Sequence, residues 1–394
     1  MSARRERGGG TRALVYVQHL LGIGHLKRAA TLARALAAEG MQVTLASGGP
    51  AVPGMVPQLS MHGVQLVQLP PASAADLSFK VLLDESGREI DDAWKRLRSE
   101  ALLLAWRAAD PHVLLIELFP FGRRQMRFEL LPLLDAAAGR AAIVCSVRDI
   151  LGGLKSLQRQ QETLDLVERY FDRVLVHGDP GVVSFDRTFP GAERIAGRLA
   201  YTGYVVEPVN AAGGNAGKDE IIVSAGGGAV GAALLRAAML AKPLTAMRDR
   251  TWRVLAGNNL PEGDFRSLAG LAASDGGIVL ERSRADFTTL LANCALSVSQ
   301  AGYNTLMETV RAGARAVVVP FAGGHETEQS LRARSFAERG LLDVIEEEAL
   351  TPEALAAAID RAARKPRPVP GAIDLDGARK SAMLIAGLAR ERLS

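Results

Sequence analysis

Two glycines and a histidine open the chemistry of this chain: Gly22-Ile-Gly24-His25 follows a short apolar run at residues 13–17. Gly22 and Gly24 let the backbone turn closely, and His25 then sits near a helix N-terminus, where free N–H groups favour anions or polar substrate groups. A plain tight turn with a solvated histidine fits the same four residues. At the end of a second apolar run, residues 112–117, Glu117 is a candidate general base, although a buried or capping carboxylate has the same address. The loop that follows, FPFGRR, holds Phe119, Phe121, Arg123 and Arg124. The arginines could hold a phosphate and the phenylalanines could form an apolar wall or a membrane-touching lip. A solvated arginine pair over packed phenylalanines is the competing arrangement.

A third group lies downstream. Gly226, Gly227 and Gly228 stand between the apolar run at 220–224 and a helical pattern reaching residue 242, so several backbone N–H groups are exposed with no side chain in the way. That is what close approach to a diphosphate needs. The loop lacks the Lys-Ser/Thr of a P-loop and the spacing of a dinucleotide fingerprint, which argues against an ATPase or a nicotinamide enzyme. Residues 299–329 then give a turn at Ala301 and Gly302, a helix carrying Thr305 and Glu308, a strand at 316–319, and a polar loop with His325, Glu328 and Gln329. Turns, helix starts and a carboxylate at the carboxyl ends of parallel strands are where open α/β sheets bind ligands.

The elements that must position these groups alternate strand and helix throughout. Strands are expected at 13–17, 42–46, 64–69, 112–117, 141–147, 173–176 and 199–206, with a long helix over about 84–109 and another over about 155–170. After the linker-like NAAGGNAG at 210–217, strands are expected at 220–224, 251–256, 277–281, 295–298 and 316–319. At 394 residues two domains are the default. We expect a charged leader at 1–10, a first Rossmann-like domain at 11–207, a linker at 208–218, a second domain at 219–368, and a final helix in 369–394 that crosses back to the first domain.

Composition bounds the partners. Lys and Arg number 47 against 43 Asp and Glu, a net charge of +4, and no basic block interleaved with aromatics is present, so nucleic acid is not expected. The two cysteines, Cys145 and Cys294, lie in apolar runs and suggest neither a disulfide framework nor a zinc site. No apolar run approaches the roughly 18 residues of a transmembrane helix, and the cytoplasm, with or without contact at the inner membrane face, is the expected location.

In order and spacing, Gly22-Ile-Gly24-His25, Gly226 to Gly228, Ala301-Gly-Tyr-Asn-Thr-Leu-Met-Glu308 and Pro320-Phe followed by Glu328-Gln329 resemble the two-domain GT-B glycosyltransferases, in particular the MurG-like, family 28 branch. That branch transfers N-acetylglucosamine from a UDP-sugar to a lipid-linked acceptor. The resemblance implies two Rossmann-like domains facing each other across a cleft and a nucleotide-sugar donor used as substrate, with no cofactor. It further implies a lipid-linked, saccharide or small-molecule acceptor. It gives Glu308 the ribose hydroxyls, and Ala301, Gly302 and Thr305 the donor phosphates. Glu328 and Gln329, with His325 just before them, would read the transferred sugar, and His25 would sit near the reacting centre. In this fold Arg282 would stack on or edge the base. No DxD-like carboxylate pair stands at a nucleotide loop, so a metal-independent, inverting transfer is expected, with His25 or Glu117 as base. A nucleotide-sugar epimerase or hydrolase of the same fold, and a non-catalytic binding subunit, are the alternatives. The chain departs from the family at Glu328, where an amide is usual, and in the FPFGRR loop.

Overall fold

The structure, a computed structural model, describes residues 10–76, 79–152, 156–207, 214–226, 231–321, 327–369 and 371–393. The expectations placed on residues 1–9 and 208–213, and on Gly227, Gly228 and His325, lie outside the described residues.

Apolar strands buried on both faces build two parallel sheets, as sheets covered by crossover helices must be. The first contains β1 (Arg12–Val17), β2 (Gln42–Ser47) and β3 (Val64–Gln68). A small antiparallel pair, β4 (Ser73–Ala74) and β5 (Leu82–Leu83), stands apart from it. The sheet resumes with β6 (Val113–Glu117), β7 (Ala142–Arg148), β8 (Arg173–His177) and β9 (Leu199–Tyr201). The strand order is β3-β2-β1-β6-β7-β8-β9. The second sheet contains β10 (Ile221–Ser224), β11 (Trp252–Leu255), β12 (Ile278–Glu281), β13 (Leu296–Gln300), β14 (Ala316–Val319) and β15 (Asp343–Val344). Its order is β12-β11-β10-β13-β14-β15.

In each sheet the chain reverses its direction of build once, between β1 and β6 and between β10 and β13. A crevice opens at the carboxyl ends of such strand pairs, and it is there that open α/β sheets take ligands. Tyr16 pairs with Ile116 and Ser224 pairs with Ser299, so the two strand ends of each crevice lie level.

Two expected elements are shorter in the structure. The helix expected from residue 84 begins at Asp92, because the Asp91 side chain caps it by accepting from Trp94 N at 2.7 Å, while Asp84 closes a separate turn onto Ser86 and Arg88. The strand expected to reach residue 206 ends at Tyr201: Gly203 takes a left-handed φ of 84°, and Tyr204 N bonds Asp374 O instead of a strand partner.

The helix Gly377–Glu391 buries Ala382, Ile385, Ala386 and Ala389 in the same cluster as Leu26, Ala29, Leu32 and Ala33 of the helix Gly24–Ala38, so the end of the chain is part of the first domain's core. A further apolar cluster joins the domains: Ile150, Val182, Val183 and Tyr204 pack with Tyr303, Leu306, Met307 and Phe336. Among the described residues no helix is long and apolar enough to cross a membrane.

Candidate active site

His25 lies in the first turn of the helix Gly24–Ala38, whose N-cap residue Ile23 makes no side-chain cap. Its Nδ1 is 3.0 Å from both Oε1 and Oε2 of Glu117, the last residue of β6. Glu117 is 1% exposed, and Arg28, one turn beyond His25, pairs with its Oε1. Burial pushes the His25 ring down to about 4. Glu117 opposes that shift, while Arg123 and Arg148 add to it. Burial would raise the Glu117 carboxyl, but His25 and Arg28 overcome it and hold the group well below the usual carboxylate range. At neutral pH the pair is therefore an ionised carboxylate and a neutral imidazole. An ionised carboxylate only accepts, so it selects the tautomer with the proton on Nδ1 and leaves the Nε2 lone pair for a proton from elsewhere.

This geometry separates two residues that the sequence leaves as equal candidates for the base. Glu117 has its oxygens on His25 and Arg28 and almost no exposed surface, an arrangement that orients the imidazole. His25 keeps 18% of its side chain exposed.

The second domain meets this corner through the helix Tyr303–Arg311. Asn304 Nδ2 donates to Gly24 O at 3.4 Å, and the Tyr303 hydroxyl donates to His177 O at 3.2 Å and accepts from Val205 N at 3.2 Å. Arg28 and Arg332 lie over the Tyr303 ring, at 5.4 and 5.0 Å from its centroid. Gly302 precedes this helix with open space where a Cβ would be. Gly226 has φ 72°, and a Cβ on it would lie 3.7 Å from Thr305 Oγ1. Gly226, Gly302 and Thr305 thus share the β10/β13 crevice, with Ala301 buried beneath them. Beside it, a cavity of about 260 Å³ is lined by Gly231, Gln300, Val319, Phe321 and Leu350, among others.

Other expected site residues are placed differently. Glu308 is 8% exposed in the seam between the domains, lining with Lys27, Thr31, Glu207 and Asn304 a slot of only about 10 Å³. Among the described residues none hydrogen-bonds its carboxylate. Burial raises its pKa to about 7, Lys27 opposing and Glu207 reinforcing the shift. Glu328 pairs with Arg148 across the seam and with Arg332 at 3.0 Å on its own helix. Gln329 Oε1 accepts from Phe321 N at 3.1 Å and ties down the loop after β14. The guanidinium of Arg282 stacks 4.2 Å from the Phe265 centroid, donates to Leu260 O and pairs with Glu262, so its fork is held within its own domain. Arg124 is paired with Glu162 at 2.5 Å on the helix Leu157–Tyr170. Phe119 and Phe121 form no lip: they are 0% and 2% exposed, and Phe121 packs edge-on against Phe185 and Phe189. Gly22 has open space around it and lies in the turn before His25. His177 is fully buried between Ser146 Oγ at 2.7 Å and Thr202 Oγ1 at 2.9 Å, a structural residue.

Arg28, Arg148, Asp149, Asn304 and Arg332 have no place in the sequence-based site. Arg28 is legible in hindsight, three residues from His25 on one helix face. Arg148 and Asp149 stand just past β7, where functional loops gather, but nothing local ties them to Glu328 and Arg332, about 180 residues away.

Residues 226–372 match the family model described as glycosyltransferase family 28 C-terminal domain. A search of the curated proteins finds no match. Among solved structures, the chain is similar to CalG4, the calicheamicin glycosyltransferase, at 17% identity and a TM-score of 0.58 over 97% of this chain and 96% of that one. It is similar to MurG of Acinetobacter baumannii at 16% identity and TM-score 0.57, over 96% of this chain and 99% of that one. The spinosyn rhamnosyltransferase SpnG complexed with thymidine diphosphate gives 18% identity and TM-score 0.55, over 97% and 96%. At these identities the structures speak for the fold, and the family match speaks for the enzyme class. The chain is a glycosyltransferase of GT-B fold whose second domain is of the family 28 C-terminal type.

Proposed function

We propose that the protein transfers a sugar, an N-acetylhexosamine by preference, from a nucleoside diphosphate donor of the UDP type to an acceptor hydroxyl, with inversion and without a metal ion. The observation that carries this reading is the His25–Glu117 pair, 3.0 Å apart and set across the seam from the helix Tyr303–Arg311. The acceptor oxygen attacks the anomeric carbon as its proton passes to His25 Nε2. The bond from that carbon to the diphosphate oxygen breaks, and its electron pair leaves with the diphosphate. In this reading the backbone amides at the start of the helix Tyr303–Arg311 stabilise the negative charge that collects on the diphosphate. Attack from the His25 side with departure on the Gly302 side places nucleophile and leaving group on opposite faces of the carbon, which is inversion.

Donor recognition in this reading uses Glu308 for the ribose diol. The slot of about 10 Å³ beside it holds roughly one water, so the seam near Lys27 and Glu207 has to part for a ribose to enter. Gln329 is assigned to the sugar end. The family match over residues 226–372 supports the donor assignment.

The test is ligand-induced stabilisation by UDP, GDP and TDP, since a ligand at 100 times its Kd adds about 2.7 kcal/mol. Stabilisation by UDP above the other two, lost in Glu308→Gln, is expected. No shift with any nucleotide would sink the reading, and preference for TDP would reassign the base.

A further inference from the structure

Four guanidiniums and three carboxylates meet around the cleft. Arg28 pairs with Glu117, Arg148 with Glu328, and Arg332 with Asp149 and Glu328. The fourth cation, Arg123, has no carboxylate within salt-bridge distance among the described residues. It follows β6 in a left-handed conformation, φ 58° and ψ 33°, which a non-glycine residue adopts only where its surroundings hold it. Its Nε donates to Gln18 O at 2.8 Å, just past the end of β1, so the guanidinium spans the β1/β6 crevice in which Glu117 holds His25. The terminal nitrogens of the fork have no described partner. Its neighbour Arg124 is paired with Glu162.

We propose that Arg123 forms an acceptor subsite for an oxyanion, a carboxylate or a phosphate, so that the acceptor of this enzyme is an anionic molecule whose hydroxyl is thereby brought to His25. The proposal rests on the glycosyltransferase reading above and names the substrate class for it. An arginine fork meets either oxyanion through two parallel N–H bonds, and a half-buried guanidinium with no ion pair of its own is open to an arriving anion. Burial lowers the Arg123 pKa, and the Glu117 charge nearby opposes the shift without pairing with the guanidinium. A coupling to the chemistry follows. Arg123 is one of the charges that hold the His25 pKa down, so an anion bound on Arg123 returns basicity to His25 when the acceptor is in place.

The experiment titrates the full-length protein with D-glucuronate, inorganic phosphate and neutral glucose while following the His25 ring by NMR, and in parallel measures UDP binding. One of the two anions binds and moves the His25 titration upward, and glucose does neither; which anion binds tells a carboxylate from a phosphate acceptor. Arg123→Gln weakens that anion at least tenfold and abolishes the His25 shift, Arg123→Lys is intermediate, and Arg124→Gln behaves as wild type. UDP binding is the same in all four proteins. Unchanged anion affinity in Arg123→Gln, or glucose binding as well as the anions, overturns the proposal. So does an equal loss of UDP affinity in Arg123→Gln, because the arginine then serves the donor. Failure of UDP to bind the wild type strikes the enzyme reading instead, so the two claims fail separately.

Discussion

Two stretches of the same interdomain seam are built on opposite rules. Around Asp149 the charges are paired, although Arg332 Nη1 and Arg148 Nε are buried without a hydrogen-bond partner: Arg332 takes both carboxylate oxygens of Asp149, at 2.7 and 3.1 Å, and bonds Glu328, which in turn reaches Arg148. Tyr204, Tyr303 and Phe336 seal this network in apolar surface. A short distance along, around His25, Arg123 and Glu308, groups are left with lone pairs or protons to offer. The paired stretch joins the two domains, and the other is where the proposed substrate would complete the bonding. A buried network is neutral only when complete, so the comparison can be broken at either end.

The largest effect is expected from the matched side. Asp149→Ala leaves Arg332, which is fully buried, without its bidentate partner, and about 3–5 kcal/mol of stability should be lost in a denaturant melt. A loss under 1 kcal/mol would show that the network is not what joins the domains. On the unmatched side, Glu117→Gln keeps the shape of the pair but no longer fixes the His25 tautomer. We expect kcat to fall by about 10²-fold or more with stability changed less, and the acid limb of kcat/KM to move lower, because Glu117 is the group that raises the His25 pKa.

Acid separates the regions further. The ring pKa values of His25 and His177 are depressed to about 4 and about 3, chiefly by burial. Below the ordinary imidazole value near 6.5 the unfolded chain takes up protons that the folded one refuses, so stability is full above that pH and falls progressively towards pH 4. Glu308 has the opposite sign. Its raised pKa, about 7, means that its contribution is present in acid and is lost as pH rises through 7. Glu308→Gln should therefore raise Tm by a few degrees at pH 8 and leave it unchanged at pH 4, while weakening UDP. The smallest effect is expected at Arg124, whose exposed pair with Glu162 predicts less than 1 kcal/mol on replacement and no change in transfer.

Much of the fold was legible in sequence because strand and helix alternate with strong apolar patterning, and the two glycine-bearing crevices follow from that alternation. Gly24-His25 and Glu117 could each be singled out as strand-end chemistry. Their union could not, since it depends on β1 lying beside β6 across about 90 intervening residues. Glu328 shows the limit in the other direction. A helix-start glutamate in a ligand loop reads as a sugar contact, but Arg148 and Arg332 reach it first, and neither is near it in the part of the chain that carries the motif. Phe119 and Phe121 were ambiguous for a similar reason: only the packing of Phe185 and Phe189 decides that they face inward.

The central claim is that His25 is the base, and the direct measurement is sugar transfer by His25→Ala alongside its binding of UDP. We expect transfer to fall by about 10²- to 10⁴-fold with UDP affinity within a factor of two of wild type. Transfer at the wild-type rate in His25→Ala would contradict the account.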